Sequence, residues 1–541
     1  MVFSARLVNH RTMGRYHRSR LQFWRATCHT NPLHAPLLSL LVALVWVANG
    51  SFLYAQKSNS TPGQQTITIN AQAPTQSFPH YWERMFGSGR AILSLREGYR
   101  DDLRAVKAAT DFGYIRFHGI LDDEVGLDDT DSRVDHGFNF SYIDQIYDGL
   151  LANGVRPFVE LSFMPKALAS TPQQQSFWYH PYVAPPKDWN SWEDLIRSFA
   201  EHLVTRYGID EVSQWYFEVW NEPNIDFWAG APKQQTYFTL YDHTAQALKS
   251  VSPRLRVGGP ATAQAAWVSE FIRHCVGEQA PVDFVSTHVY GNDSAENVFG
   301  TAEKVSRLEM VPRAVKKVHD EVQTSPRPDL PVIFSEYNAS YLNETNVTDS
   351  AFMGPWLAYT ISQCDGLVDT LAYWDFSDVF EEQGVVKRPF YGGYGLMAEG
   401  QIPKASYNAF ALLHRLGTKR LAVDSDSVLV TRRQDGALII AAWNYAAPGQ
   451  SPALRNLTLA VNGLTARRQA VIFRVDDNHG SALTAWEAMG RPSFPSRDQQ
   501  ELLREAGRLP APEIRQIPAT DPAPLVLSLP PHSLALIEIS N

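Results

Sequence analysis

Between residues 85 and 376 the chain alternates short apolar runs with longer amphipathic stretches. The apolar runs fall at 85–91, 114–120, 156–163, 215–220, 255–260, 282–290, 331–337 and 371–376. Each is too short for a buried helix and is closed by turn-forming or charged residues, which predicts a strand. Between the fourth and fifth, residues 235–251 place Tyr237, Leu240, Tyr241, Thr244, Ala245 and Leu248 at helical spacing. Strands alternating with helices imply a parallel sheet, and eight such units imply closure into a (β/α)8 barrel. A helix over 405–416 ends the barrel at Gly417. Beyond it the period shortens to alternating segments at 427–433, 437–444, 456–462, 470–475, 525–529 and 534–539, which predict a β-sandwich. Residues 477–515 interrupt it with an insert that is helical over 499–506. The expected class is therefore α/β, a TIM barrel over 79–418 with an additional C-terminal β-sandwich over 419–541. Ahead of both, 56–65 reads as a polar linker, and 66–70 alternates around Ile67 and Ile69 as a strand joining the C-terminal module.

Charge changes the picture at the N-terminus. Residues 1–34 carry six Arg and no acid, and the first acidic residue of the chain is Glu83. The apolar block PLLSLLVALVWVA (36–48) follows, then Leu53-Tyr54-Ala55. A basic head, a short apolar block and a small residue describe an export signal over 1–55, cleaved in a secreted or periplasmic protein. An uncleaved membrane anchor is the alternative, because 36–55 is about long enough to span a bilayer. The whole chain holds 48 basic and 57 acidic residues, net −9; without its first 55 residues it holds 42 and 57, net −15. So acidic a chain is no nucleic-acid binder by bulk charge. Of three Cys, Cys275 and Cys364 lie beyond the signal and make no disulfide framework. No metal-binding spacing occurs, and no cofactor is expected. Aromatic residues make up 12%, with 14 Trp, the side chains that stack on sugar rings when they do not merely fill a core.

The chemistry concentrates in WYFEVWNEPNIDFW (215–228). Glu222 ends the fourth strand among Trp220, Phe227 and Trp228, where desolvation disfavours its charge and raises its pKa, as a general acid at neutral pH requires. The bland alternative is a carboxylate paired to an Arg inside the barrel. PVIFSEYN (331–338) repeats the arrangement with Glu336 at the end of the seventh strand. Two strand-end carboxyls on one barrel face point to a glycosidase pair.

Placed in order, several stretches resemble glycoside hydrolase family 39, nearer its bacterial β-xylosidases than its α-L-iduronidases. They are YIRFHGIL (114–121), FEVWNEPNIDFW (217–228), LRVGGPAT (255–262), VDFVSTHVY (282–290), SEYNASY (335–341), YWDFSDVFEEQG (373–384), FYGGYGLM (390–397) and DDNHGSALTAWEAMGRP (476–492). The resemblance implies a retaining mechanism, with Glu222 as acid/base, Glu336 as nucleophile and Asn221 on the sugar 2-hydroxyl. It also implies that His118, His288, Tyr290, Trp374 and Glu382 line the subsite of the non-reducing sugar, Tyr290 alternatively orienting Glu336. The family's Phe-His-Gly-Gly-Phe-Gly reads FYGGYG here, with Tyr391 and Tyr394 in place of His and Phe, which bears on sugar specificity. The expected partner is a glycoside or oligosaccharide, a β-xyloside first. An iduronide remains open because Lys387 and Arg388 could hold a carboxylate, as does an arabinoside, and a non-catalytic carbohydrate-binding protein is the reading from another class.

Overall fold

The computed structural model describes residues 64–127, 137–450, 453–464 and 466–540. Eight parallel strands close into a barrel: Met85–Ser88, Tyr114–Phe117, Arg156–Leu161, Tyr216–Val219, Arg256–Thr262, Phe284–Tyr290, Val332–Asn338 and Thr370–Tyr373. All eight coincide with the apolar runs of the sequence. The helix read at 235–251 runs over Lys233–Val251, and its periodic residues Tyr237, Leu240, Tyr241, Thr244, Ala245 and Leu248 are all buried, with Phe238 and Ala247 beside them.

Side chains alternate between the helix layer and the barrel interior along each strand. The interior floor is apolar, built from Met85, Phe158, Phe284, Ile333 and Ala372 with Tyr114 and Tyr216 against them. Two residues further along, the inward positions turn polar: Arg116, Glu160, Glu218 and Ser286, all fully buried. Glu160 and Glu218 are register partners on neighbouring strands. The barrel is thus a closed apolar cup with a charged layer just below its C-terminal rim.

The strand Val332–Asn338 breaks register at Ser335, where Thr287 pairs with Phe334 but His288 pairs with Glu336. Such a bulge lets two consecutive side chains face the same way. Ser335 and Glu336 both reach side chains of the barrel interior as a result.

Two further sheets share a second core. One has three strands, Gln64–Asn70 running parallel to Arg455–Asn462, with Ala523–Leu529 antiparallel on its other side. The other has seven, in the order Glu513–Ile517, Arg468–Val475, Ser533–Ile539, Leu438–Asn444, Val428–Arg432, Lys419–Leu421 and Thr75–Ser77. Ile67, Ile69, Leu457, Leu459 and Leu527 of the first meet Val430, Ile440, Ile472 and Ile537 of the second. This is the expected sandwich, with the strand read at 66–70 in place. Gln64 and Gln65, read as linker, already belong to that strand, and 513–515, read as insert, belong to an edge strand. The remaining linker positions 56–63, and residues 1–55 with the expected export signal or anchor, lie outside the described residues. Among the described residues no helix is long and apolar enough to cross a membrane. Cys275 and Cys364 are both buried and free.

Candidate active site

A cavity of about 420 Å³ opens at the C-terminal rim of the barrel. Glu222 stands in the loop after the fourth strand, three residues past Val219 rather than at the strand end itself. Trp220 and Glu222 have left-handed backbones, with φ of 72° and 43°, and this sharp turn brings the carboxyl back over the barrel mouth. The turn is held by Glu222 N–H donating to Ala261 O at 2.7 Å. Glu336 faces it from the seventh strand.

One oxygen of each carboxyl and one ring nitrogen of His288 lie within 4.8 Å of one another. His288 Nδ1 is 3.0 Å from Glu222 Oε1 and 3.6 Å from Glu336 Oε1. Glu336 is held on both oxygens: Arg116 Nη1 donates to Oε1 at 2.6 Å and Tyr290 OH donates to Oε2 at 2.7 Å. Both contacts are donors, one of them cationic, so both oxygens of Glu336 act as acceptors. Glu222 meets His288 instead. Burial, then the charges of Glu336 and Asp293, push its pKa well above the usual carboxylate range. Two carboxyls so close, in environments this different, separate into one proton holder and one anion.

Arg116 ties the centre together. Its Nε donates to Glu218 Oε2 at 2.6 Å and its Nη2 to Asn221 Oδ1 at 2.9 Å, and Nη2 is 2.8 Å from Glu160 Oε2. With its carbonyl oxygen so occupied, Asn221 offers the cavity its amide hydrogens. The structure therefore contains both readings of a buried strand carboxylate. Glu160 and Glu218 are the Arg-paired ones, and Glu222 is not.

His118 Nδ1 lies 2.7 Å from Glu160 Oε2, and its Nε2 is 3.7 Å from Glu382 Oε1. Burial opposes its charge, but Glu160 and Glu336 outweigh it and raise the imidazole pKa. Burial likewise pushes Glu382 up to about 8, against the pull of His118. His288 is driven the other way, well below its usual range, by burial and then by Arg116 and His118, so it is neutral. His118, Asn221, Glu222, Tyr290, Glu336, Trp374 and Glu382 all line the cavity, as the sequence placed them. His288 does not: it is wholly buried behind the two carboxyls, with Nε2 3.1 Å from Ser335 Oγ, and Ser335 in turn donates to Glu218. Its place is beneath the two carboxyls, set back from the cavity.

The acidic and imidazole groups stand close enough to hold a cation in principle. Arg116 already reaches Glu160, Glu218 and Glu336, and Tyr290 donates to Glu336, so part of that role is filled from within the chain.

Sequence reasoning missed Arg116, Glu160 and Ser335, and left Glu218 without a role. It also missed the cavity-lining Phe177, Gln264, Asp293 and Tyr341. The signal for the first group was present: charged side chains inside apolar strands need buried partners. Phe177 and Tyr341 sit on loops with no such mark.

A (β/α)8 barrel with a proton-holding and an anionic carboxyl at its C-terminal rim defines a glycoside hydrolase. The description of glycosyl hydrolases family 39 matches residues 65–521. A β-xylosidase of Geobacillus stearothermophilus is 40% identical over 482 residues, covering 86% of this chain and 94% of its own. One of Caldicellulosiruptor saccharolyticus is 36% identical, covering 88% and 98%. A monomeric β-xylosidase from Caulobacter crescentus superposes with a TM-score of 0.79 at 33% identity, over 88% of this chain and 99% of that one. The chain belongs to glycosyl hydrolases family 39.

Proposed function

We propose that this enzyme releases single xylose units from the non-reducing ends of β-xylosides and xylo-oligosaccharides with retention of configuration. The observation that carries the mechanism is the approach of the two carboxyls, with an oxygen of each within 4.8 Å of the other. Retaining enzymes need about 5–5.5 Å between the groups, whereas inverting ones leave about 6.5–9.5 Å for a water. Glu336 attacks the anomeric carbon as Glu222 protonates the departing oxygen, leaving the sugar as an ester on Glu336. Glu222, now a carboxylate, takes a proton from water, the water's oxygen attacks the same carbon, and Glu336 is freed. Asn221 donates to the 2-hydroxyl, and Trp374 is the floor under the ring.

Exo action is supported by a wall on the Glu382 side, where Trp178 N–H donates to Glu382 O at 2.7 Å and Phe177 and Gln383 close the cavity. A xylose-like neutral sugar is supported by the relatives' activities and by the cavity lining, which among the described residues includes no Lys or Arg. A uronate would need such a cation; Arg388 lines a different cavity, beside Trp486 and Asp477. Export directed by residues 1–55 is part of the proposal, supported by their Arg-rich, acid-free head and apolar block.

The test is initial rates on aryl β-xyloside, α-L-iduronide and α-L-arabinoside, with product anomers followed by NMR. Xyloside turnover with the β-anomer appearing first is expected. Faster turnover of either other sugar would replace the substrate and keep the carboxyl roles, while the α-anomer first would overturn the mechanism.

A further inference from the structure

The proposed function places the non-reducing sugar between His118, Glu382 and Trp374 and leaves the departing group unassigned. Glu222 protonates the departing oxygen, so its carrier lies beyond Glu222, away from Glu382. The cavity wall there is Ile225, Ala263, Gln264 and Asp293.

The segment 261–267 that presents Gln264 has an unusual backbone. Ala261, Gln264, Ala265 and Trp267 have φ of 52°, 62°, 52° and 61°, four of the twelve non-glycine residues with positive φ among those described. Each is disfavoured in a residue bearing a Cβ, and such conformations persist only where the surroundings over-determine them. Here they do. Asn224 Nδ2 donates to Ala263 O and Ala263 N–H returns to Asn224 Oδ1, both at 2.9 Å, while Thr262 Oγ1 donates to Ala266 O at 2.5 Å. The segment is thereby locked to the loop that carries Glu222. Gln264 Nε2 reaches Asp293 Oδ1 at 3.4 Å, and Asp293 Oδ2 accepts from Tyr290 N–H at 2.7 Å.

We propose that Gln264 and Asp293 form the leaving-group subsite and hydrogen-bond the hydroxyls of a second neutral sugar ring, with Asn224 as the clamp that positions them. The inference rests on the reading of Glu222 as the acid. The amide retains one N–H and its carbonyl oxygen for hydroxyls, and a carboxyl that accepts two internal donors still has lone pairs to offer. Ile225 supplies apolar contact. A leaving group without hydroxyls leaves these polar groups unmatched, so the subsite favours a sugar over an aryl group.

The experiment compares kcat/KM on xylobiose and on 4-nitrophenyl β-xyloside for wild type, Gln264→Ala, Gln264→Met, Asp293→Asn and Asn224→Ala. Expected is a loss on xylobiose that exceeds the loss on the aryl substrate by about tenfold or more, carried by KM in the Asn224 variant. Asp293 also faces Glu222, as do Glu336, Arg116 and Glu382, so its variant is read across the full pH profile, and the uncharged Gln264 variants carry the decision. Equal losses on both substrates in folded Gln264 variants overturn the subsite and leave the acid assignment standing. A wild type inert toward both sugars overturns the underlying reading and this inference with it.

Discussion

Arg116 shows how much one buried side chain can organise. Its guanidinium meets Glu160, Glu218, Asn221 and Glu336, and so holds the anionic half of the pair while Glu222 stays protonated nearby. Because burial and the Glu336 charge raise the Glu222 pKa, the acid is in its active form through neutral pH, and activity falls as pH rises through that raised value. In the proposed mechanism Glu336 loses its charge on becoming an ester, Glu222 relaxes downward, and the proton it has given up need not return before water attacks. Glu222→Ala is expected to lose about 10²–10⁴-fold on poor leaving groups, less on dinitrophenyl xyloside, and to lose its alkaline limb. Added azide should restore turnover and give β-xylosyl azide, identified by NMR. Glu336→Gly should lose about four orders of magnitude or more, with no rescue of the β-anomer. The two Glu were legible because each closes an apolar run beside turn residues. Arg116 and Glu160 were equally visible letters, but a strand buried on both faces does not announce which side chains point inward. The neighbourhood of Ser335 and Glu336 was beyond reach for another reason: it depends on a bulge, and a register break has no compositional mark.

At the scale of elements, the barrel makes room for Trp374, the proposed sugar floor, by leaving a side chain out. A Cβ on Gly87, in the first strand, would overlap Trp374 Cε3. Gly87→Ala is therefore expected to push the indole into the cavity, raise KM for aryl xyloside about tenfold, and cost about 1–3 kcal/mol of stability, read by denaturant unfolding. An unchanged KM would show that Trp374 does not floor the site. Every barrel strand was readable from its apolar run, yet the expected first strand ran to residue 91 and the observed one stops at Ser88, where Gly89 and the turn Ala91–Leu95 take over. The strands Thr75–Ser77, Lys419–Leu421 and Glu513–Ile517 were not readable at all. They lie at or next to the edges of the seven-stranded sheet and are largely polar, so ladder bonding rather than hydrophobic pattern makes them strands.

At the scale of the whole molecule, the seven-stranded sheet joins the two cores, one face in the sandwich's own and the other in the barrel's. Helix Met353–Cys364 packs on Leu438–Asn444 and Ser533–Ile539, and Leu429, Ile439, Trp443, Val475, Leu534 and Leu536 belong to the same apolar cluster as the barrel helices. A sheet that belongs to both cores predicts one cooperative transition in scanning calorimetry, and two resolved transitions would refute it. With Cys275 and Cys364 free, reductant should leave the midpoint unchanged.

The strand Gln64–Asn70 pairs with Arg455–Asn462, a partner about 390 residues further along the chain. At about 5–20 residues per second of synthesis, roughly 20–80 seconds separate the making of the two. For that interval the barrel can assemble while the sandwich's first strand waits, its Ile67 and Ile69 bare. The sandwich's earliest-made strand is therefore among the last of its strands to find a place.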